Sequence, residues 1–204
     1  MVEQAGRGFK ALTLASLKKA VDEGRVDEDI IPLLFTINSH PQWMTTSSCS
    51  GRIQLIAPPT AGDKVGSEVL GKWHGVAGSE EVLKSLGGWS GEGELHLLVQ
   101  PLLLHIRCRD LPSAVGIRNI GQEAGLKFSS IRSIRLDRNG DPVEWGITVE
   151  ILGTERAEIP LHGLDDDVIR RSLPFWLVHS NSLLSRTKEH IETMIDLVKD
   201  PPEH

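Results

Sequence analysis

Hydrophobic spacing places helices at both ends of the chain and groups of strands between them. Over residues 10–24, Leu14, Leu17 and Val21 share one helical face, while Lys18, Lys19, Asp22 and Glu23 lie off it. Gly24 follows where a C-terminal cap belongs. Residues 27–38 predict a short second helix, opened by acids and with Pro32 in its first turn. A strand is the alternative for 33–37, because apolar runs this short suit both periods.

Strand patterns come next. Residues 45–49 and 52–57 read as strands on either side of Gly51, followed by a loop marked by Pro58, Pro59, Gly62 and Gly66. Residues 68–74 fit a strand, and 80–86 a short helix ended by Gly87 and Gly88. Strands are expected at 94–100 and 102–109. In the second, Leu102, Leu104, Ile106 and Cys108 alternate with Leu103, His105, Arg107 and Arg109. Residues 111–124 fit a helix closed by Gly125. Residues 129–137 and 143–151 pair as a hairpin across Asn139-Gly140, and 157–161 form another strand.

A long helical region begins at about residue 165, where Asp165, Asp166 and Asp167 complement the positive end of a helix dipole. Leu177, Leu184, Ile191 and Val198 recur in it at seven-residue spacing, and Pro174 is expected to kink or split it. Strands in pairs and triplets, rather than alternating βαβ units, predict an α+β fold of mixed or antiparallel sheets. No linker is visible, so residues 1–204 read as a single domain.

Composition narrows the function classes. Charged residues make up 25% and hydrophobic residues 39%, which argues against wholesale disorder. With five Trp, four Phe and no Tyr, the core must be mostly Leu, Ile and Val. Apolar runs fall far short of the ~20 residues a membrane span needs. The first nine residues show no secretory pattern, so a cytoplasmic location is expected. Cys49 and Cys108 are too few for a disulfide framework. Of these and the histidines His74 and His105, only Cys108 and His105 lie close together, on opposite faces of one strand pattern, which does not make a zinc knuckle, so no metal is expected.

The net charge of −6 excludes a uniformly basic nucleic-acid binder. Its distribution matters more than its total. Between His105 and Arg138, Arg107, Arg109, Arg118, Lys127, Arg132, Arg135 and Arg138 outweigh three acids, giving +4 against −10 elsewhere. That is either a solvated sheet face or a phosphate-facing patch on an otherwise acidic protein.

Two clusters carry candidate chemistry. Thr45-Thr46-Ser47-Ser48-Cys49-Ser50 is an unbroken series of hydroxyl and thiol side chains, followed by Gly51 and Arg52. Hydroxyls donate and accept, a glycine lets a ligand approach the backbone, and arginine forks onto carboxylate or phosphate. The same run also suits a polar edge strand and turn. His105, Arg107 and Arg109 share one strand face, with Cys108 on the other as a buried thiol. His105 suits proton acceptance near neutral pH. No phosphate-binding Gly-Lys-Ser/Thr loop and no Gly-x-Gly-x-x-Gly fingerprint occurs.

These pieces, in order, resemble the wybutosine-synthesising tRNA methyltransferases, the family of the third enzyme of that pathway. The resemblance starts at Asn38-Ser39-His40, runs through the hydroxyl-rich series to Ile53, and continues with Trp73-His74. It then takes in residues 101–110, Ala114, Gly125-Leu126-Lys127-Phe128-Ser129-Ser130-Ile131, and Glu158-Ile159-Pro160-Leu161. The Ser-Ser-Cys-Ser-Gly-Arg block is the specific part. Lys127-Phe128-Ser129-Ser130-Ile131 departs from the family's common Arg-Asn-Ser-Gly-Ile.

The resemblance implies S-adenosylmethionine-dependent methylation of a ring nitrogen in the tricyclic wyosine precursor, beside the anticodon of phenylalanine tRNA. It also implies a fold other than the Rossmann methyltransferase. On this reading Ser48, Cys49 and His105 are the catalytic candidates. Ser47, Ser50, Gly51, Arg52, Trp73 and His74 are expected to bind cofactor, and Arg107, Arg109, Lys127 and Ser129 the tRNA. Trp43 and Trp73 suit either stacking on an anticodon-loop base or a place in the core. Thr45 to Arg52 and His105 to Arg109 are expected to line one cleft. The alternative function is a module that binds RNA or cofactor without turnover.

Overall fold

The computed structural model describes residues 2–60 and 65–201; the loop marker Gly62 lies outside them. The elements in order are α1 (Val2–Asp22), a 3-10 turn (Glu28–Ile30), α2 (Ile31–Ser39), β1 (Trp43–Cys49), β2 (Arg52–Ala57), β3 (Glu68–Trp73) and α3 (Ser79–Leu86). They continue with β4 (His96–Gln100), β5 (Leu103–Cys108), α4 (Leu111–Glu123), β6 (Ser130–Leu136), β7 (Pro142–Leu152), β8 (Ala157–Pro160) and α5 (Asp166–Lys199). Two four-stranded sheets result, β1-β5-β7-β6 and β3-β2-β4-β8, with every strand pair antiparallel. The fold is therefore α+β, as the grouping of strands predicts.

The chain divides into two compact units, one comprising Met1–Ser50, Leu102–Thr154 and Lys188–His204, the other Gly51–Pro101 and Glu155–Thr187. In the first unit, Leu104, Ile106 and Cys108 of β5 and Ile147, Val149 and Ile151 of β7 are all fully buried. They meet Leu33, Leu34 and Ile37 of α2, Ile117 of α4, and Ile191 and Met194 near the end of α5. Burying each such side chain contributes about 1.5–3 kcal/mol, far more than any surface ion pair. This apolar face orients the sheet and turns His105, Arg107, Thr148 and Glu150 to the other side.

The second unit packs Ile53, Leu55, Leu97 and Val99 of its sheet against Val82 of α3 and Ile169, Leu173, Leu177 and Leu184 of α5. Asn181 of α5 pins the loop before α3 with paired bonds. Its Oδ1 accepts from the Ala77 amide at 2.9 Å and its Nδ2 donates to the Ala77 carbonyl at 3.1 Å.

The ambiguity at 33–37 resolves to helix, because Leu33, Leu34 and Ile37 must all reach one core, which a strand's alternation forbids. Pro174 neither ends nor splits α5, which runs unbroken for 34 residues. Arg170, whose carbonyl the proline leaves without its usual donor, and Pro174 itself are both exposed, so the lost bond falls at the solvent side of the helix rather than in the core.

Candidate functional site

The hydroxyl-rich run straddles the two units: Thr45–Ser50 ends one and Gly51 begins the other. Within the first unit β1 pairs with β5, and a register shift between Thr45 and Ser47 leaves Thr46 as a bulge. The bulge sets Ser47 directly against His105, with Ser47 Oγ 2.7 Å from His105 Nδ1. The bulged Thr46 donates its hydroxyl to the His105 carbonyl at 3.2 Å. The expected convergence of the serine run on the His105 strand is thus present for the part that lies in this unit.

On the other side of β5, His105 pairs with Glu150 of β7, and its Nε2 lies 2.8 Å from Glu150 Oε2. The Glu150 acceptor beside Nε2 favours a proton on that nitrogen, with Nδ1 accepting from Ser47, whereas the Arg132 donor beside the same Nε2 opposes it. Arg132, bulged out of β6, donates to the same Glu150 oxygen and sits 2.9 Å from Nε2. The hydrogen bond from His105 holds the Glu150 carboxyl below its ordinary value; burial opposes this, and the bond and charge of Arg132 reinforce it. Arg132 is 56% exposed, so its ion pair is worth less than ~1 kcal/mol to stability. The arrangement therefore does more to orient His105 than to hold the fold.

Several other expected residues are differently placed. Ser48 sits opposite Leu104, one step along the pleat, and so alternates away from His105. Cys49, opposite Leu103, is half-buried on the His105 side. Cys108 is fully buried, and burial, with the nearby Asp110 charge, pushes its thiol up to about 12. Ser129 is also buried, and its hydroxyl closes the turn after α4 on the Leu126 carbonyl at 2.6 Å. It is not presented to a substrate, contrary to the sequence expectation. Lys127 is exposed and donates to the Gln122 carbonyl in the last turn of α4. Arg109 pairs with Glu144 at 3.0 Å beside an open cavity of about 380 Å³, lined also by Asp110, Leu111 and Pro142.

Ser50, expected to touch cofactor, is fully buried. Its amide donates to Asp27 at 2.9 Å, and Lys188 donates to both its carbonyl and its hydroxyl at 3.2 Å. Lys188 also pairs with Asp29 at 2.7 Å. This network fixes the end of β1. The sequence pattern does not reveal it, because its members are 138 residues apart. Trp43 is a core residue, stacked on His40 at 3.8 Å and donating Nε1 to the Ser113 carbonyl, which leaves no face for a base.

In the second unit Gly51 has a left-handed φ of +83°, and a Cβ there would meet Thr187 Cγ2 at 2.9 Å and the Gln100 carbonyl oxygen at 3.0 Å. The glycine is required by close protein packing. Arg52 donates from Nε to Gln100 Oε1 at 2.8 Å, which braces the guanidinium stem. The register that sets Ile53 against Trp73 brings Arg52 and His74 to the same end of the β2–β3 pair. Trp73 is half-buried, with its indole folded over Gly71.

Among the described residues no cluster of three or more His, Cys, Asp or Glu could hold a metal ion, and no helix is long and apolar enough to cross a membrane. A polar sheet face with one oriented histidine and several arginines has the makings of a site for an anionic, proton-losing substrate. The model of the family described as Methyltransferase TYW3 matches residues 9–200, and the chain belongs to that family. It is 38% identical over 196 residues to the Pyrococcus abyssi protein named tRNA(Phe) 7-((3-amino-3-carboxypropyl)-4-demethylwyosine(37)-N(4))-methyltransferase 1, with 94% of each chain covered. A Thermococcus kodakarensis protein of the same name is 42% identical over 152 residues, covering 74% of this chain and 72% of its own. Among solved structures, the PH1069 protein from Pyrococcus horikoshii superposes with a TM-score of 0.82 at 35% identity, covering 94% of this chain and 95% of that one.

Proposed function

We propose that this protein methylates ring nitrogen N4 of the 7-(3-amino-3-carboxypropyl)-4-demethylwyosine base at position 37 of phenylalanine tRNA, the reaction in its relatives' names. The observation that carries the reading is the match of one methyltransferase family to residues 9–200, with an oriented histidine on the cation-bearing sheet face. The methyl donor is S-adenosylmethionine. Its methionine end carries a carboxylate, and the braced fork of Arg52 presents paired N–H groups suited to one. His74 and Trp73, at the same end of the strand pair, are the further cofactor-binding candidates. When bound, S-adenosylmethionine supplies an electrophilic methyl group whose C–S bond breaks with its electron pair left on sulfur.

The protein's own groups do the remaining work. Arg107 and Arg132 on the sheet face, with Lys127 and Arg109, meet the phosphates of the anticodon loop and the carboxylate of the base's side chain. Holding the ring nitrogen in line replaces a covalent nucleophile, and orientation supplies several kcal/mol. Ser47 and His105 stand where a proton can be taken up, with Cys49 beside them on the same side of β1. Ser50 and Gly51 serve by fixing the run's backbone.

The test combines purified protein, labelled S-adenosylmethionine and tRNA from cells lacking the gene. Methyl incorporation into the tricyclic base supports the proposal. Retention of tRNA or cofactor without incorporation would make the protein a binding module and refute it.

A further inference from the structure

Adding a methyl cation equivalent to a neutral ring leaves a cation unless the ring also sheds a proton. Methylation of a demethyl base therefore needs somewhere for that proton to go. In the first unit one unbroken hydrogen-bonded line leads away from the serine run: Ser47 Oγ to His105 Nδ1 at 2.7 Å, and His105 Nε2 to Glu150 Oε2 at 2.8 Å, with Arg132 donating to the same carboxylate oxygen. Each link is a directly opposed pair across β1, β5 and β7, so the backbone register holds the line in place. The groups facing His105 are Ser47 and Cys49 from β1, Glu150 and Thr148 from β7, Arg132 from β6, and Arg107 two residues along its own strand. Glu150 is the only carboxylate among them.

We infer that Glu150 is a positioning residue, oriented by Arg132, that holds His105 with its proton on Nε2 and its Nδ1 lone pair toward Ser47, so that the Ser47–His105 pair takes up the proton lost by the methylated ring nitrogen. Ser47 passes its hydroxyl proton to Nδ1 as it receives the one from the ring, and so ends unchanged. The imidazolium that results is bonded at both nitrogens, and its charge faces the Glu150 carboxylate. Arg132 keeps Glu150 ionised and aimed, and the Glu150 carboxylate between them offsets the repulsion between the guanidinium and the imidazolium. This inference rests on the function proposed above.

The test is Glu150→Gln, which keeps the size and an acceptor but removes the charge. Single-turnover methyl transfer should fall roughly ten- to a hundredfold, no more than the lower end of the ~10²–10⁴-fold range for general base catalysis, because the imidazole itself remains. The acid limb of the pH–rate profile should move to lower pH, because the imidazolium loses its counter-ion. Glu150→Gln should add little in a His105→Ala background, since the carboxylate acts only through the imidazole. Nitrogen-15 NMR of the cofactor-free protein gives a second readout: His105 should show a protonated Nε2 and a bare Nδ1. A folded Glu150→Gln variant with wild-type rate and profile, or losses that add in the double variant, would overturn the inference. A His105 protonated only on Nδ1 would overturn it whatever the activity. Wild-type protein with the expected tautomer but no methyl transfer would refute the proposed function and, with it, the proton-accepting role.

Discussion

Gly51 allows the packing of the hydroxyl-rich block to be tested quantitatively. Its φ of +83° is left-handed, where an L side chain costs about 1–2 kcal/mol. A Cβ would also meet Thr187 Cγ2 at 2.9 Å, the Gln100 carbonyl oxygen at 3.0 Å and the Pro101 carbonyl carbon at 3.3 Å. Two of these are backbone atoms, and Thr187 is fully buried, so no neighbour gives way cheaply. Overpacking of that kind adds about 1–3 kcal/mol. Gly51→Ala is thus expected to destabilise by about 2–5 kcal/mol, a fall in Tm of about 4–20 °C for a chain of this size. Urea unfolding followed by tryptophan fluorescence measures the same quantity as a lower midpoint. Thr187→Ser removes the clashing methyl while keeping the hydroxyl that donates to the Leu183 carbonyl. Adding it should recover the smaller part of the loss, because the backbone clash and the left-handed φ remain. A Gly51→Ala protein that melts within about 1 °C of wild type would refute the packing argument and leave ligand approach as the reason for the glycine.

Arg52→Lys keeps the charge but loses both the fork and the Nε bond to Gln100, so catalytic efficiency should fall about ten- to a hundredfold, or about 1.5–3 kcal/mol. Wild-type turnover and cofactor affinity in a folded variant would remove Arg52 from the binding site. If Arg107, Arg132 and Lys127 each meet a phosphate, the logarithm of tRNA affinity should fall with that of salt concentration at a slope of about −2; filter binding across a salt series that stays flat would exclude these contacts. The raised Cys108 thiol and its burial predict that a disulfide reagent at neutral pH titrates one thiol, Cys49, in the native protein and both in denaturant. Rapid native labelling of Cys108 would contradict its place in the core.

The local patterns were enough to determine most element types, though not the helix at 33–37 or the continuity of α5 through Pro174, and the identity of the chemistry-bearing strands. Alternation along β5 puts Leu104, Ile106 and Cys108 in the core and His105 and Arg107 out of it, because side-chain direction has period two whatever the neighbours are. Gly125 and the Asn139-Gly140 turn mark their boundaries through backbone freedom, which is equally local. Tertiary structure decided what lies beside what. The same alternation makes Glu150 an outward residue of β7, but only the strand order places it against His105. The bulge at Thr46, invisible in the sequence, selects Ser47 over Ser48 as the partner of His105. Ser50 and Ser129 read as ligand-binding hydroxyls because a serine's partners cannot be inferred from its own segment. Their burial depends on Asp27 and Lys188 in one case and the Leu126 carbonyl in the other. Periodicity follows from the covalent geometry of each segment, whereas hydrogen-bond partners and burial depend on which distant segments the core brings together.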